Sequence, residues 1–280
     1  MIGPDGALAP ERQPTLARAP WWLLVLALAA LLLGWRLATD ALWRDIASRI
    51  LDGLGVTLLV TAVTFPLGLS LGLVAALGLV SSKPIPRQLA LLYVQVARGV
   101  PVLVWIFVIA FVIVPAGVAA TQTLGGWLAP LLGPDNALAA LRPADVPMGA
   151  RVVAALAFAY GAFEAETLRG GLTSLPRGQA EAARALGLSR GQALRHVLLP
   201  QTFRRVLPTV GNDLVCLLKD SSLVSVLGVR DITQEARLFQ SATFRYVESL
   251  TLVAFLYLAL TLLVALLVRF LERRYRRHAA

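Results

Sequence analysis

Three apolar runs, each long enough to cross the hydrocarbon of a bilayer, decide what this chain can fold into. A helix rises 1.5 Å per residue, so about 20 apolar residues span the core of a membrane. The runs 53–80, 99–120 and 249–268 meet that length. Lipid offers the backbone no hydrogen bonds, so each run closes its own as a helix. A fourth run, 21–37, follows Arg12 and Arg18. It has the apolar core of a signal peptide but no small-x-small cleavage site before Asp40, and reads as an uncleaved helix. Composition agrees: 58% of residues are hydrophobic and 15% charged, where a soluble domain carries about a quarter charged.

Two further segments are weaker by hydropathy. The segment 149–168 carries Glu164 and Glu166, and 206–229 carries Asp213, Lys219 and Asp220. A charge at the centre of a span costs about 2.5–3.5 kcal/mol on insertion scales. Such helices persist where the charge faces protein or a wet cavity, which makes each charge a functional candidate. Counting all six segments as spans with a cytoplasmic N-terminus puts 16 of the 26 Lys and Arg residues on the inner side, as the positive-inside rule asks. Dropping either weak segment would place the cluster Arg273, Arg274, Arg276 and Arg277 outside or reverse the earlier loops. The expectation is an all-α membrane protein of about six transmembrane helices, with both termini cytoplasmic.

The net charge of +10 falls between apolar runs, so it points to a membrane surface and not to nucleic acid. A single cysteine, Cys216, forms no internal disulfide and reads as packing, and no Cys/His cluster offers metal-ligand spacing. His196 and His278 are the only histidines, little material for acid–base chemistry.

The loop 174–200 is too polar to span and still reads as helical. Pro176 suits a first turn, good helix formers run from Glu181 to Leu186, and Gly187 supplies a left-handed cap. Ser189 with Gln192 three residues on forms a capping-box pattern, and Pro200 is expected to end the second helix. Leu186, Leu188, Leu194 and Val197 offer apolar contacts beside Arg184, Arg190 and Arg195. On physical grounds the elbow suits either docking into another protein's groove or lying on anionic lipid.

The same residues resemble the integral membrane permeases of ATP-binding cassette importers. That family's signature is Glu-Ala-Ala, three residues, Gly, nine residues, Ile, one residue, Leu-Pro. Here Glu181, Ala182, Ala183, Gly187, Val197 in the Ile place, Leu199 and Pro200 stand in register. The similarity runs from about Gly53 to Arg277 and is closest to the polar amino-acid branch, through Arg98-Gly99-Val100-Pro101, Ala165-Glu166-Thr167-Leu168-Arg169-Gly170-Gly171 and Leu218-Lys219-Asp220-Ser221-Ser222-Leu223. Val100 stands where Thr is usual, Glu164 where an apolar residue is usual, and the span 21–37 adds to a five-helix core. The resemblance implies a tail over 1–20, an added helix and outer linker over 21–52, a permease domain over 53–271 and a basic tail over 272–280. It also implies a bacterial inner membrane and a path for a polar amino acid or similar small solute.

By the same resemblance, the elbow is a coupling helix seated in a cytosolic ATPase. Two ATP-binding subunits, a second permease subunit, identical or paralogous, and an extracytoplasmic solute-binding protein are the implied partners. The chain would then bind no cofactor, with ATP and Mg on the ATPase; it lacks a phosphate-cradling Gly-x-x-x-x-Gly-Lys-Ser/Thr loop. For the solute path the candidates are Glu164, Glu166, Asp213, Lys219, Asp220 and Arg98, since a polar amino acid presents an ammonium and a carboxylate. Structural pairs, Lys219 with Asp220 or Glu166 with Arg169, are the alternative. Two Gly-x-Ser-x-Gly strings, Gly68 to Gly72 and Gly187 to Gly191, match a hydrolase elbow but lack its strand–turn–helix setting and a His partner. A passive channel or another polar solute completes the alternatives.

Overall fold

The computed structural model describes residues 21–133 and 136–277; the expected tail over 1–20 lies outside them, as do residues 278–280. All regular structure among the described residues is helical. The chain divides into two compact units, one ending at Ser48 and one starting at Arg49.

The first unit holds α1 (Trp21–Thr39) and the start of α2 (Ala41–Asp52). Leu24, Val25, Leu28 and Leu31 on α1 are exposed, as befits a helix apolar all round. Asp40 breaks the run and starts the next helix, its carboxylate accepting the Leu42 N–H at 2.9 Å.

The second unit continues with α3 (Leu54–Leu79), α4 (Pro84–Gly99) and α5 (Val102–Val108), which runs through a π turn (Ile109–Ile113) into α6 (Val114–Trp127). Two short turns, α7 (Ala129–Leu132) and α8 (Ala137–Ala140), precede α9 (Met148–Thr173). The elbow comprises α10 (Arg177–Ala185), α11 (Arg190–Ala193) and a π turn (Leu194–Leu198) that feeds α12 (Leu199–Asp220). A 3₁₀ turn (Ser221–Leu227), α13 (Ile232–Thr243) and α14 (Tyr246–Arg277) complete it, so the expected basic tail is helical as far as Arg277.

Four stretches are long and apolar enough to cross a membrane, Ala41–Leu79, Val102–Trp127, Met148–Thr173 and Tyr246–Arg274, with a shorter apolar helix at Leu23–Thr39. The expected span 206–229 is built differently from the others. Its helix stops at Asp220 and the 3₁₀ turn takes over, closed by Gly228 at φ 74°. Its charges keep α12 below the hydropathy of a lipid-facing helix. The amphipathic α4 falls in a segment read as an inner loop; Ala90, Val94 and Ala97 are its buried face.

At the centre sits α9, packed against α3, α4, α5 and α12. In its most apolar stretch 61% of residues are buried, against 11% in α14, so α9 is shielded by neighbouring helices while this chain leaves most of α14 uncovered. Small residues allow that shielding. Gly72 of α3 leaves so little room that a Cβ there would lie 2.6 Å from the Glu164 Cβ, and Gly171 of α9 stands as close to Val206 of α12. Close backbone approach of this kind is how membrane helices gain packing without a hydrophobic driving force. Tyr93 on α4 donates to the Phe158 carbonyl at 2.7 Å, and Trp105 on α5 donates to the Ala97 carbonyl at 3.0 Å. Both rings meet Phe158 edge-on.

Both π turns stop two residues short of a proline, Pro115 and Pro200. A π turn sends each carbonyl to the N–H five residues on: Val114 bonds Ile109 and Leu199 bonds Leu194. The wider turn gives the proline ring room that an α-helix denies it. Pro200 therefore does not end the second elbow helix, contrary to the sequence expectation. The chain runs through the π turn directly into α12, with Pro200 in its first turn, where a missing N–H costs least.

At the end of α9 away from the elbow, Gly53 lies against the Asp231 backbone, where a Cβ would stand 2.3 Å from the carbonyl carbon. Asp231 caps α13 by accepting the Gln234 N–H at 2.8 Å and takes the Tyr257 hydroxyl of α14 at 3.1 Å. Burial pushes its carboxyl above the ordinary 3.8, while the hydrogen bonds from Gln234, Thr233 and Tyr257 pull the other way.

Candidate functional site

The elbow is fixed by local chemistry. Gly187 adopts φ 81°, a conformation an L side chain rarely takes. This lets Leu188 donate to the Ala183 carbonyl at 3.1 Å and Gly187 to Arg184 at 2.9 Å, the paired bonds of a Schellman cap. The next helix begins with the expected capping box: Ser189 Oγ accepts the Gln192 N–H at 3.3 Å, and Gln192 Oε1 accepts the Ser189 N–H at 2.9 Å. Two contacts anchor the elbow to the bundle. Gln201 on α12 donates to Gln179 on α10 at 3.2 Å, and Arg205 donates to the Ser174 carbonyl at 2.5 Å.

Of the signature residues, Ala183 is buried and Val197 and Leu199 half-buried, so these hold the elbow together. Glu181, Ala182, Gly187 and Pro200 are exposed. Beside them Leu186 is 82% exposed, an apolar knob at the turn with no cover from this chain. The sequence pattern marked the signature positions but not which of them would face outward.

The charged candidates separate into two groups. Glu164 lies between α9, α3 and α12, 1% exposed, and neither of its carboxylate oxygens has a hydrogen-bond partner. One turn earlier on the same face, Tyr160 donates to Asp220 of α12 at 2.9 Å. Asp213 precedes Asp220 by two turns of α12 and is half-buried. The fold thus sets Glu164 and Tyr160 of α9 towards the face of α12 that carries Asp213 and Asp220. Glu166, in contrast, is paired: Arg169 donates to it through Nε at 2.9 Å and Nη2 at 2.7 Å. That is the structural pair foreseen as an alternative. Lys219 is exposed, and Asp220 bonds Tyr160 rather than its neighbour. Arg98 sits in the last turn of α4, its guanidinium 5.5 Å from the centre of the Phe163 ring, a cation–π contact.

Two contributors escaped the sequence. Tyr160 carries no signal that would pair it with a residue sixty positions on. Arg151, at the start of the weak span 149–168, gave no sign in the sequence that it would be buried in the first turn of α9. The first Gly-x-Ser-x-Gly string lies within α3 and the second spans the turn between α10 and α11, so neither sits in a strand–turn–helix. On α3, Gly68 and Gly72 serve as a contact face for α9.

Comparison with known proteins places this geometry. Residues 68–277 match the family described as binding-protein-dependent transport system inner membrane component. The chain is 32% identical over 235 residues to the glutamine transport system permease protein GlnP of Escherichia coli (strain K12), covering 84% of this chain and 96% of that one. It is 31% identical over 225 residues to the arginine transport system permease protein ArtQ of Bacillus subtilis (strain 168), covering 80% and 91%. A crystal structure of an amino acid ABC transporter with histidines superposes with a TM-score of 0.64 at 32% identity, over 81% of this chain and 94% of that one. The extent of the match, together with a glycine-capped elbow between two membrane helices, makes this chain a member of the binding-protein-dependent transport system inner membrane components, the permease subunits of ABC importers.

Proposed function

We propose that this permease carries a polar amino acid or a similar small solute inward, and that its elbow is the point where force from a cytosolic ATPase enters the membrane. The observation that carries the coupling role is the rigid presentation of Glu181, Ala182 and Leu186 around the Schellman cap at Gly187. An 82% exposed leucine on a short, doubly capped turn suits a groove on a partner protein better than water. Relatives named for glutamine and for arginine transport support an amino-acid solute. In this reading ATP and Mg are bound by two ATP-binding subunits, a second permease closes the path, and a solute-binding protein docks on the loops 121–147 and 230–248. Both termini and the elbow then face the cytoplasm, as the basic residues around 174–205 and 269–277 favour.

For the path, Glu164 is the strongest of the charged candidates, because a buried carboxylate with two unpartnered oxygens is the group a donor-rich solute would satisfy. Asp213 and Asp220 flank it. Glu166, Lys219 and Arg98 are less suited, the first being spent on Arg169.

Replacing Gly187 with Val tests the coupling role. The substitution forces a β-branched residue to φ 81°, at a cost of about 1–3 kcal/mol in the cap. The chain is expected to remain in the membrane and lose co-purification with its ATP-binding subunit. Retained co-purification with normal uptake would refute the assignment.

A further inference from the structure

The π turn in the α5–α6 helix leaves a gap in its hydrogen bonding. Its pattern assigns the Ala110 carbonyl to the N–H five residues on, and that residue is Pro115, which has none. A buried carbonyl left bare in a membrane helix is costly. The donor comes from 41 residues away: Arg151 Nη1 reaches the Ala110 oxygen at 2.9 Å. The same guanidinium also donates through Nε to the Val146 carbonyl at 3.1 Å and through Nη2 to the Pro143 carbonyl. The residue is 7% exposed, and its bond to the Ala110 carbonyl is buried. One rigid fork therefore joins the π turn of one helix, the first turn of α9 and the loop before it.

We infer that Arg151 is a positioning residue for transport, filling the gap opened by Pro115 so that the π turn of the α5–α6 helix moves together with the loop that leads into α9. A lysine does not substitute, because one ammonium cannot present the planar fork that three separated carbonyls require. Its link to transport rests on the proposal that the loop 121–147 seats the solute-binding protein; the clamp itself does not.

Hydrogen exchange on the full chain in nanodiscs tests the clamp with Arg151→Met, Pro115→Ala and the double variant. Arg151→Met should speed exchange about tenfold in both 109–116 and 143–151, as expected on losing a charge-assisted bond. Pro115→Ala restores a backbone donor, so the double variant should recover protection in 109–116 while 143–151 stays fast. Unchanged exchange in Arg151→Met, or no recovery in the double variant, overturns the inference. Should Arg151→Met fail to fold, rescue of folding by Pro115→Ala supports the clamp and absence of rescue overturns it. In the assembled importer, Arg151→Met should lower the ratio of binding-protein-stimulated to basal ATP hydrolysis about fivefold, a modest coupling energy, with basal hydrolysis unchanged. An unaltered ratio overturns the role in transport. A wild-type assembly deaf to its binding protein would instead count against the seating of that protein, and the exchange result would stand apart from it.

Discussion

Gly72 and Gly68 share one face of α3, yet alanine should act oppositely at the two. At Gly72 a new Cβ would stand 2.6 Å from the Glu164 Cβ, 2.9 Å from the Gly161 carbonyl oxygen and 3.0 Å from the Ala165 nitrogen. Two of these three atoms are backbone, so no rotamer change relieves the clash and α3 must move away from α9. Overpacking of this kind costs about 1–3 kcal/mol. At Gly68 the nearest atoms, the Ala157 oxygen, the Gly161 nitrogen and the Tyr160 Cβ, lie at 3.5 Å, an ordinary contact that gains dispersion energy. Alanine also favours the helix over glycine by up to about 1 kcal/mol at either position. Gly72→Ala is then expected to destabilise by roughly 1–2 kcal/mol and Gly68→Ala to be neutral or stabilising by up to about 1 kcal/mol. Unfolding in mixed micelles of a mild detergent and dodecyl sulfate, followed by tryptophan fluorescence, measures both. Equal midpoints for the two variants, or the reverse order, would refute the α3–α9 approach on which the placement of Glu164 depends.

Glu164→Leu separates stability from function: removing two buried, unpartnered oxygens should raise unfolding stability by about 1–3 kcal/mol while lowering solute uptake by the reconstituted importer. Unchanged uptake kinetics would remove Glu164 from the path. Asp231→Asn addresses pH. Burial raises the carboxyl above its ordinary 3.8, so Asp231 supports the fold fully below that value and less as pH rises through the folded-state value. Asparagine keeps one oxygen for the Gln234 N–H, turns its amide N–H towards the Tyr257 hydroxyl oxygen in place of the second carboxylate oxygen, and does not titrate. The variant's unfolding midpoint should therefore fall less than that of the wild type on raising pH through the mildly acidic range, and parallel curves would dismiss the argument.

The elbow was the part of the site most legible in the sequence, because its determinants are local. Gly187 can adopt a positive φ, Ser189 and Gln192 cap each other three residues apart, and neither needs a distant partner. Pro200 misled for a related reason. Its missing N–H is visible in the sequence, but the π turn that accommodates it depends on how α12 must continue into the bundle. The path candidates were legible as charges in weak spans and no further. Glu166 and Arg169 form a pair readable at three-residue spacing, whereas the Tyr160–Asp220 bond joins residues sixty apart.

By itself, then, the amino-acid order determined that this chain lives in a bilayer, roughly where its helices run, and the shape of the capped turn between α10 and α11. Hydrophobic length, helix propensity and capping act over a few residues, so they are written in short windows of sequence. Only the tertiary structure decided that Glu164 is sealed at a three-helix junction, that Lys219 stands free of Asp220, and that Arg151 turns inward to serve a carbonyl stranded by Pro115. Those outcomes depend on which helix faces meet. In lipid that choice is made by close packing of glycine and alanine surfaces and by the need to satisfy every buried polar atom.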